Sequence, residues 1–165
     1  MAELLQHFTM LALYNRLANQ RLYEVCGHLS GEERKRHRRA FFSSIHGTLN
    51  HIMVGDRIWM ARFAGLEVPS TGLDAILFES FEELRAKRQA EDERIEHFFG
   101  GPTHQFLEGS ITYVNNEGRK LTDPTHILLA HFFNHQTHHR GQVHDQLTQT
   151  NVAPPVLDVH RVLRP

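Results

Sequence analysis

The chain has 165 residues, 40% of them hydrophobic, with 18 Lys and Arg against 19 Asp and Glu for a net charge of −1. That length suits one domain over residues 1–165 with a core large enough to need no covalent staple. The near-neutral balance excludes the clustered basic excess of a nucleic-acid binder, and no apolar run approaches the roughly 20 residues that span a bilayer.

The opening Met1-Ala2-Glu3-Leu4-Leu5-Gln6-His7 has no basic stretch ahead of an apolar one, so no signal peptide is expected. From about Glu3 to Leu29, Leu4, Leu5, Phe8, Leu11, Ala12, Asn15, Leu22, Val25 and Cys26 recur at spacings near three and four, the pattern of a buried helix face. Cys26 is the one cysteine. It excludes an internal disulfide, points to a reducing compartment, taken as the cytoplasm, and falls where a packed thiol is expected. Ser30 with Glu33 reads as a capping box, and the run Arg34 to Arg39 as a solvated loop and helix end. A second helix is predicted from Ser43 or Ser44 to Phe63, ended by Gly65 and Pro69, followed by a connection over 64–79. A third opens at Ser80, with Glu83 completing another capping box, and runs to Phe99, where Gly100-Gly101-Pro102 stops it. The stretch from Phe106 to Leu121 has a β-rich Ile111-Thr112-Tyr113-Val114, turn chemistry at Asn115-Asn116-Glu117-Gly118, and a short return. It reads as a small hairpin or extended crossover. Asp123 as N-cap and Pro124 at the first helical position should start a fourth helix reaching about Gln149. The expected fold is all-α: a four-helix bundle with a short β-hairpin or extended crossover before the last helix.

Fourteen histidines in 165 residues are abnormal. His135 and His139 lie four apart on the fourth helix, on one face and within reach of a single ion. His131 and His135 have the same spacing, so spacing alone does not choose between the pairs. His51, among Leu49, Ile52 and Trp59, should point inward and supply a third nitrogen. His46 is five residues earlier and about 140° away, so it should not share the ion. Asp56 is likewise off the face of His51.

The string Phe133-Asn134-His135-Gln136-Thr137-His138-His139-Arg140-Gly141-Gln142-Val143 resembles the signature of the DinB-like metalloprotein family. Gly47-Thr48-Leu49-Asn50-His51-Ile52 with Asp56 and Trp59 resembles its second-helix motif, and Tyr14-Asn15-Arg16-Leu17-Ala18-Asn19 its first helix. The resemblance covers nearly the whole chain. It implies an up-down-down-up bundle, commonly a homodimer, with a metal held by His51, His135 and His139. Beside these, Gln142 and Asn134 are candidates to hydrogen-bond a ligand imidazole, and His138 should point about 100° away from His139. Arg140 is read as structural, Gly141 as a site of close approach by another helix, and Trp59 as core or dimer interface. Tyr14 and Asn15 are secondary candidates for the pocket.

Three imidazoles without a thiolate or carboxylate suit a divalent transition metal, zinc first and nickel second. Three ligands also leave a position open, the arrangement of catalytic sites. The resemblance implies a metal-dependent enzyme of the thiol S-transferase kind, with a small thiol or an electrophile as partner. The alternatives are a non-catalytic, stress-linked metal- or ligand-binding protein and a metal-dependent hydrolase. Gln136 disfavours the latter, because it stands where a metallohydrolase places its glutamate base.

Overall fold

The computed structural model describes residues 2–101 and 104–164. Its elements in order are α1 (Ala2–Gly27), α2 (Gly31–Lys35), α3 (Ile45–Ala64), α4 (Phe81–Phe99), α5 (His104–Glu108), β1 (Ser110–Val114), β2 (Lys120–Pro124), α6 (Thr125–Leu147) and α7 (Val159–Val162). The molecule is mostly helical, with one small antiparallel sheet.

The boundaries follow local chemistry. The Ser44 hydroxyl accepts from the Gly47 N–H at 2.9 Å and starts α3, and Gly65, at φ 65°, ends it in the left-handed conformation that glycine adopts without strain. Ser30 and Ser80 cap α2 and α4 by accepting from the Glu33 and Glu83 N–H groups. The Glu33 carboxylate turns to Arg36 and Arg38 instead of back to the cap, so only half of that expected capping box forms. Gly100 and Gly101 close α4, their N–H groups donating to the Glu96 and Phe98 carbonyls; Pro102, the last residue of the expected stop, lies outside the described residues.

Contacts between the long helices run in consistent orders. Along α1 and α4 they run oppositely: Thr9 meets Phe99, Arg16 meets Glu96, and Asn19 meets Asp92. The order is also opposite along α3 and α6, where Thr48 meets Gln146, His51 meets His139, and Trp59 meets His131. It is the same along α3 and α4, through Asp56–Arg88 and Phe63–Phe98, and along α1 and α6, through Phe8–Phe133 and Asn15–Arg140.

Two large apolar clusters fill the interior, and a small third one of Tyr14, Ala18 and Val162 packs α7 onto α1. The first gathers Phe8, Met60, Phe63, Ile95, Phe99 and Phe132; the second gathers Leu22, Leu49, Met53, Leu84, Val143 and Leu147. Between them each long helix contributes buried polar side chains: Asn15 and Asn19, Asp56, Arg88 and Asp92, Gln136 and Arg140. Arg88 pairs with Asp56 and, at 3.0 Å, with Asp92; Gln136 donates to Asp56 at 2.7 Å; Arg140 donates to Asn15. A buried charge is tolerable only when matched and hydrogen-bonded, and this layer supplies two acids for two arginines.

Three expectations are corrected. The stretch before the hairpin holds the short helix α5, whose Leu107 enters the core. The last long helix starts at Thr125 and has no side-chain cap: β2 continues to Pro124, and the Asp123 carboxylate is drawn across the hairpin, where it accepts from the Tyr113 hydroxyl at 2.9 Å. The basic run from the end of α2 into the loop beyond it is only partly solvated. Arg34 is buried, donates to the Cys26 and Leu29 carbonyls and lies over the Phe81 ring, while Arg38 is buried against Glu33. Cys26 is fully buried, and burial pushes its thiol up to about 12. No helix among the described residues is long and apolar enough to cross a membrane.

Candidate metal centre

α3 and α6 bring His51, His135 and His139 together at the level of the buried polar layer. The Nε2 of His51 lies 3.2 Å from that of His135 and 3.1 Å from that of His139. Ligand atoms at bonds of about 2.0–2.1 Å around a tetrahedral ion sit about 3.3 Å apart, so the cluster has the dimensions to hold a metal ion.

Hydrogen bonds on the far sides of the rings set which nitrogens face inward. The Nδ1–H of His51 donates to the Leu73 carbonyl at 2.7 Å, and that of His139 to the Gln142 side-chain oxygen at 2.8 Å. With Nδ1 protonated in each neutral ring, both Nε2 atoms present lone pairs to each other at 3.1 Å. Two lone pairs at that distance repel unless a cation lies between them. A proton is a poor candidate. Burial, aided by the charges of neighbouring imidazoles, pushes His135 down to about 3. Burial pushes His139 down to about 4, against the opposing Gln142 hydrogen bond. His51 is lowered too, mainly by burial.

Packing fixes the rings further. Phe42 stacks on His51 with centroids 3.7 Å apart and meets His139 edge-on at 5.5 Å. Gly55 makes room for His135: a Cβ there would lie 2.7 Å from the His135 Cε1. A glycine in mid-helix costs stability, and this approach is a physical reason for it. The sequence reading missed both residues. Gly55 was within reach, since it lies four residues after His51 and so on its face. Phe42 sits in a connection whose path no periodicity reports.

The other sequence candidates divide cleanly. His46 bonds the Phe78 carbonyl at 2.9 Å, away from the cluster. His131 stands one turn before His135 and packs edge-on against Trp59. His138 is exposed, bonds Gln142 at 3.1 Å and meets the His139 ring edge-on with centroids 4.8 Å apart. Of the two candidates to support a ligand imidazole, Gln142 does so and Asn134, exposed, does not. Arg140 is fully buried on Asn15, with the Tyr14 ring 5.2 Å from its guanidinium. Tyr14 and Asn15 do not reach the cluster: the Tyr14 hydroxyl donates to the Leu157 carbonyl, and Asn15 serves Asp92 and Arg140. Gly141 faces open space, so close approach of another helix does not explain it. Asp56 is held by Arg88 and Gln136 and offers the cluster no oxygen.

The DinB family profile matches the chain over residues 2–165. A curated relative, Protein DinB of Bacillus subtilis (strain 168), is 26% identical over 155 residues, which cover 88% of this chain and 87% of that protein.

Proposed function

The chain belongs to the DinB family, and from that premise we propose that it holds one divalent transition-metal ion on His51, His135 and His139 and uses the open position to bind and activate a small thiol. The observation that carries the reading is the convergence of three imidazoles, with the His51 Nε2 3.2 Å from that of His135 and 3.1 Å from that of His139, the spacing of ligand atoms around one ion. Zinc fits an all-imidazole set best, then nickel. When bound, such an ion supplies Lewis acidity that keeps a thiol or water deprotonated at neutral pH. The residues around it orient and exclude: Leu73 and Gln142 fix the tautomers, Phe42 covers one side, and Gly55 lets His135 approach.

The reaction class is thiol transfer: a carbon–sulfur bond forms, the electrophile's leaving group departs with the bonding pair, and the thiol proton passes to solvent. Hydrolysis fits less well, because Gln136 is turned to Asp56 and no carboxylate belongs to the cluster. The helix contact orders support an up-down-down-up four-helix bundle forming one domain. Exposed apolar side chains such as Phe41, at 85% accessibility, support a homodimer, which sedimentation equilibrium would test. A single cysteine supports a cytoplasmic setting.

The test is metal analysis of untagged protein, then incubation of the zinc form with cysteine and 1-chloro-2,4-dinitrobenzene. About one ion per chain, absent from His135→Ala/His139→Ala, is expected, with adduct formation that depends on the ion. Full occupancy in the double variant would refute the site. Occupancy without turnover across a panel of thiols and electrophiles would leave a non-catalytic metal-binding protein.

A further inference from the structure

His51, Gly55 and His135 also form one wall of a cavity of about 340 Å³. Its far end is built by the last turn of α3 and by the hairpin, with Trp59, Arg62 and Tyr113 as walls. Arg62 is the unusual member. Its guanidinium lies 4.6 Å from the Trp59 ring centroid and 4.7 Å from that of Tyr113. One Nη donates to the Val114 carbonyl at 2.8 Å, and the buried Nε has no acceptor. Among the described residues, no Asp or Glu lines this cavity. Burial pushes the guanidinium down from its ordinary value, and the chief opposing influence is a tyrosine, not a carboxylate. The C-terminal dipole of α3 offsets part of the charge, but its Ala61 and Arg62 carbonyls already accept from Gly65. The result is a cation in an aromatic wall with one Nη unpaired and, among the described residues, no carboxylate partner, the setting in which a planar guanidinium takes a carboxylate.

We propose that this cavity binds a small carboxylate-bearing molecule, with its carboxylate on Arg62, its apolar middle against Trp59 and Tyr113, and its other end at the three histidines. The carboxylate end stands on Arg62 alone; placing a thiol at the other end rests on the function proposed above. Gly55, which packs on His135, and Arg62 are seven residues apart on one helix, about 10 Å along its axis. A six-carbon acid with its thiol at the far end suits that span.

Trp59 is the one tryptophan of the chain and lines the cavity, so its fluorescence reports occupancy directly. Metal-free protein is titrated with 6-mercaptohexanoate and with 6-mercaptohexanol, which match in length and differ in charge. The carboxylate should bind about tenfold or more tightly. That preference should vanish in Arg62→Gln and survive in part in Arg62→Lys, which keeps the charge and loses the fork. Equal affinities, no response to either compound, or an undiminished preference in Arg62→Gln would overturn the proposal. Should Arg62→Gln fail to fold, wild type against Arg62→Lys decides: an unchanged preference in Arg62→Lys refutes the guanidinium grip. Repeating the titration with zinc and with hexanoate separates the two readings. A carboxylate preference without zinc binding would refute only the metal function; zinc binding without a carboxylate preference would refute only this inference.

Discussion

At the scale of single residues, two glycines on the helices that bear the histidines predict opposite outcomes for the same substitution. Gly55→Ala gains about 1 kcal/mol of helix propensity but drives a methyl to within 2.7 Å of the His135 ring. Overpacking of that kind costs about 1–3 kcal/mol, so the variant should be less stable by up to about 2 kcal/mol. Its zinc affinity should fall tenfold or more in chelator competition. Gly141 has nothing within 4 Å of its would-be Cβ, so Gly141→Ala should stabilise by about 0.5–1 kcal/mol and leave metal binding unchanged. The cluster also sets a pH dependence. His135 at about 3 and His139 at about 4 lie below the ordinary value of 6.5. The unfolded chain therefore binds more protons than the folded one between about 6.5 and 4, and these rings withdraw stability as pH falls through that window. Asp92, pushed up to about 6 by burial, works the other way. The histidine contribution is isolated by comparing metal-free wild type with His135→Gln/His139→Gln in urea from pH 7 to 4.5: wild type should lose stability relative to the variant as pH falls, and parallel profiles would contradict it. The ligand residues themselves were legible because histidine is rare and its i,i+4 spacing is geometric. Their supports were not: the Leu73 carbonyl belongs to no motif, and a stacked Phe42 looks like any loop aromatic.

At the scale of elements, the helices followed from apolar periodicity and from serine caps, since both signals are local. The errors fell where one residue had two possible uses. Asp123 carries the N-cap signature, yet its carboxylate is drawn to Tyr113, ten residues back and across the hairpin. Helix α5 is five residues long, too short for periodicity to register. The polar layer was hidden for a related reason: Asn15, Asp56, Arg88 and Asp92 lie on three different helices, and only packing shows that they meet. Asp56 and Arg88 tie α3 to α4 where both are fully enclosed. Asp56→Ala should cost about 3–5 kcal/mol, because it strands a buried guanidinium, and the loss should appear as a lower urea midpoint with an unchanged slope.

At the scale of the whole molecule, stability and metal occupancy become one quantity. An ion that binds only the folded chain, present at 100 times its dissociation constant, adds about 2.7 kcal/mol. For a chain of this size that should raise Tm by about 5–10 °C, a shift that differential scanning calorimetry would find in wild type and miss in His135→Ala/His139→Ala. There is also a topological consequence. His51 and His135 are 84 residues apart in sequence, so an ion held by both closes a loop that contains all of α4 and the hairpin. Closing a loop of that length costs a flexible chain about 4.5 kcal/mol of entropy, a cost that folding has already met when the ion arrives. With a single cysteine the chain cannot make a disulfide of its own. The ion would be its one cross-link, made and broken by metal supply instead of by redox chemistry.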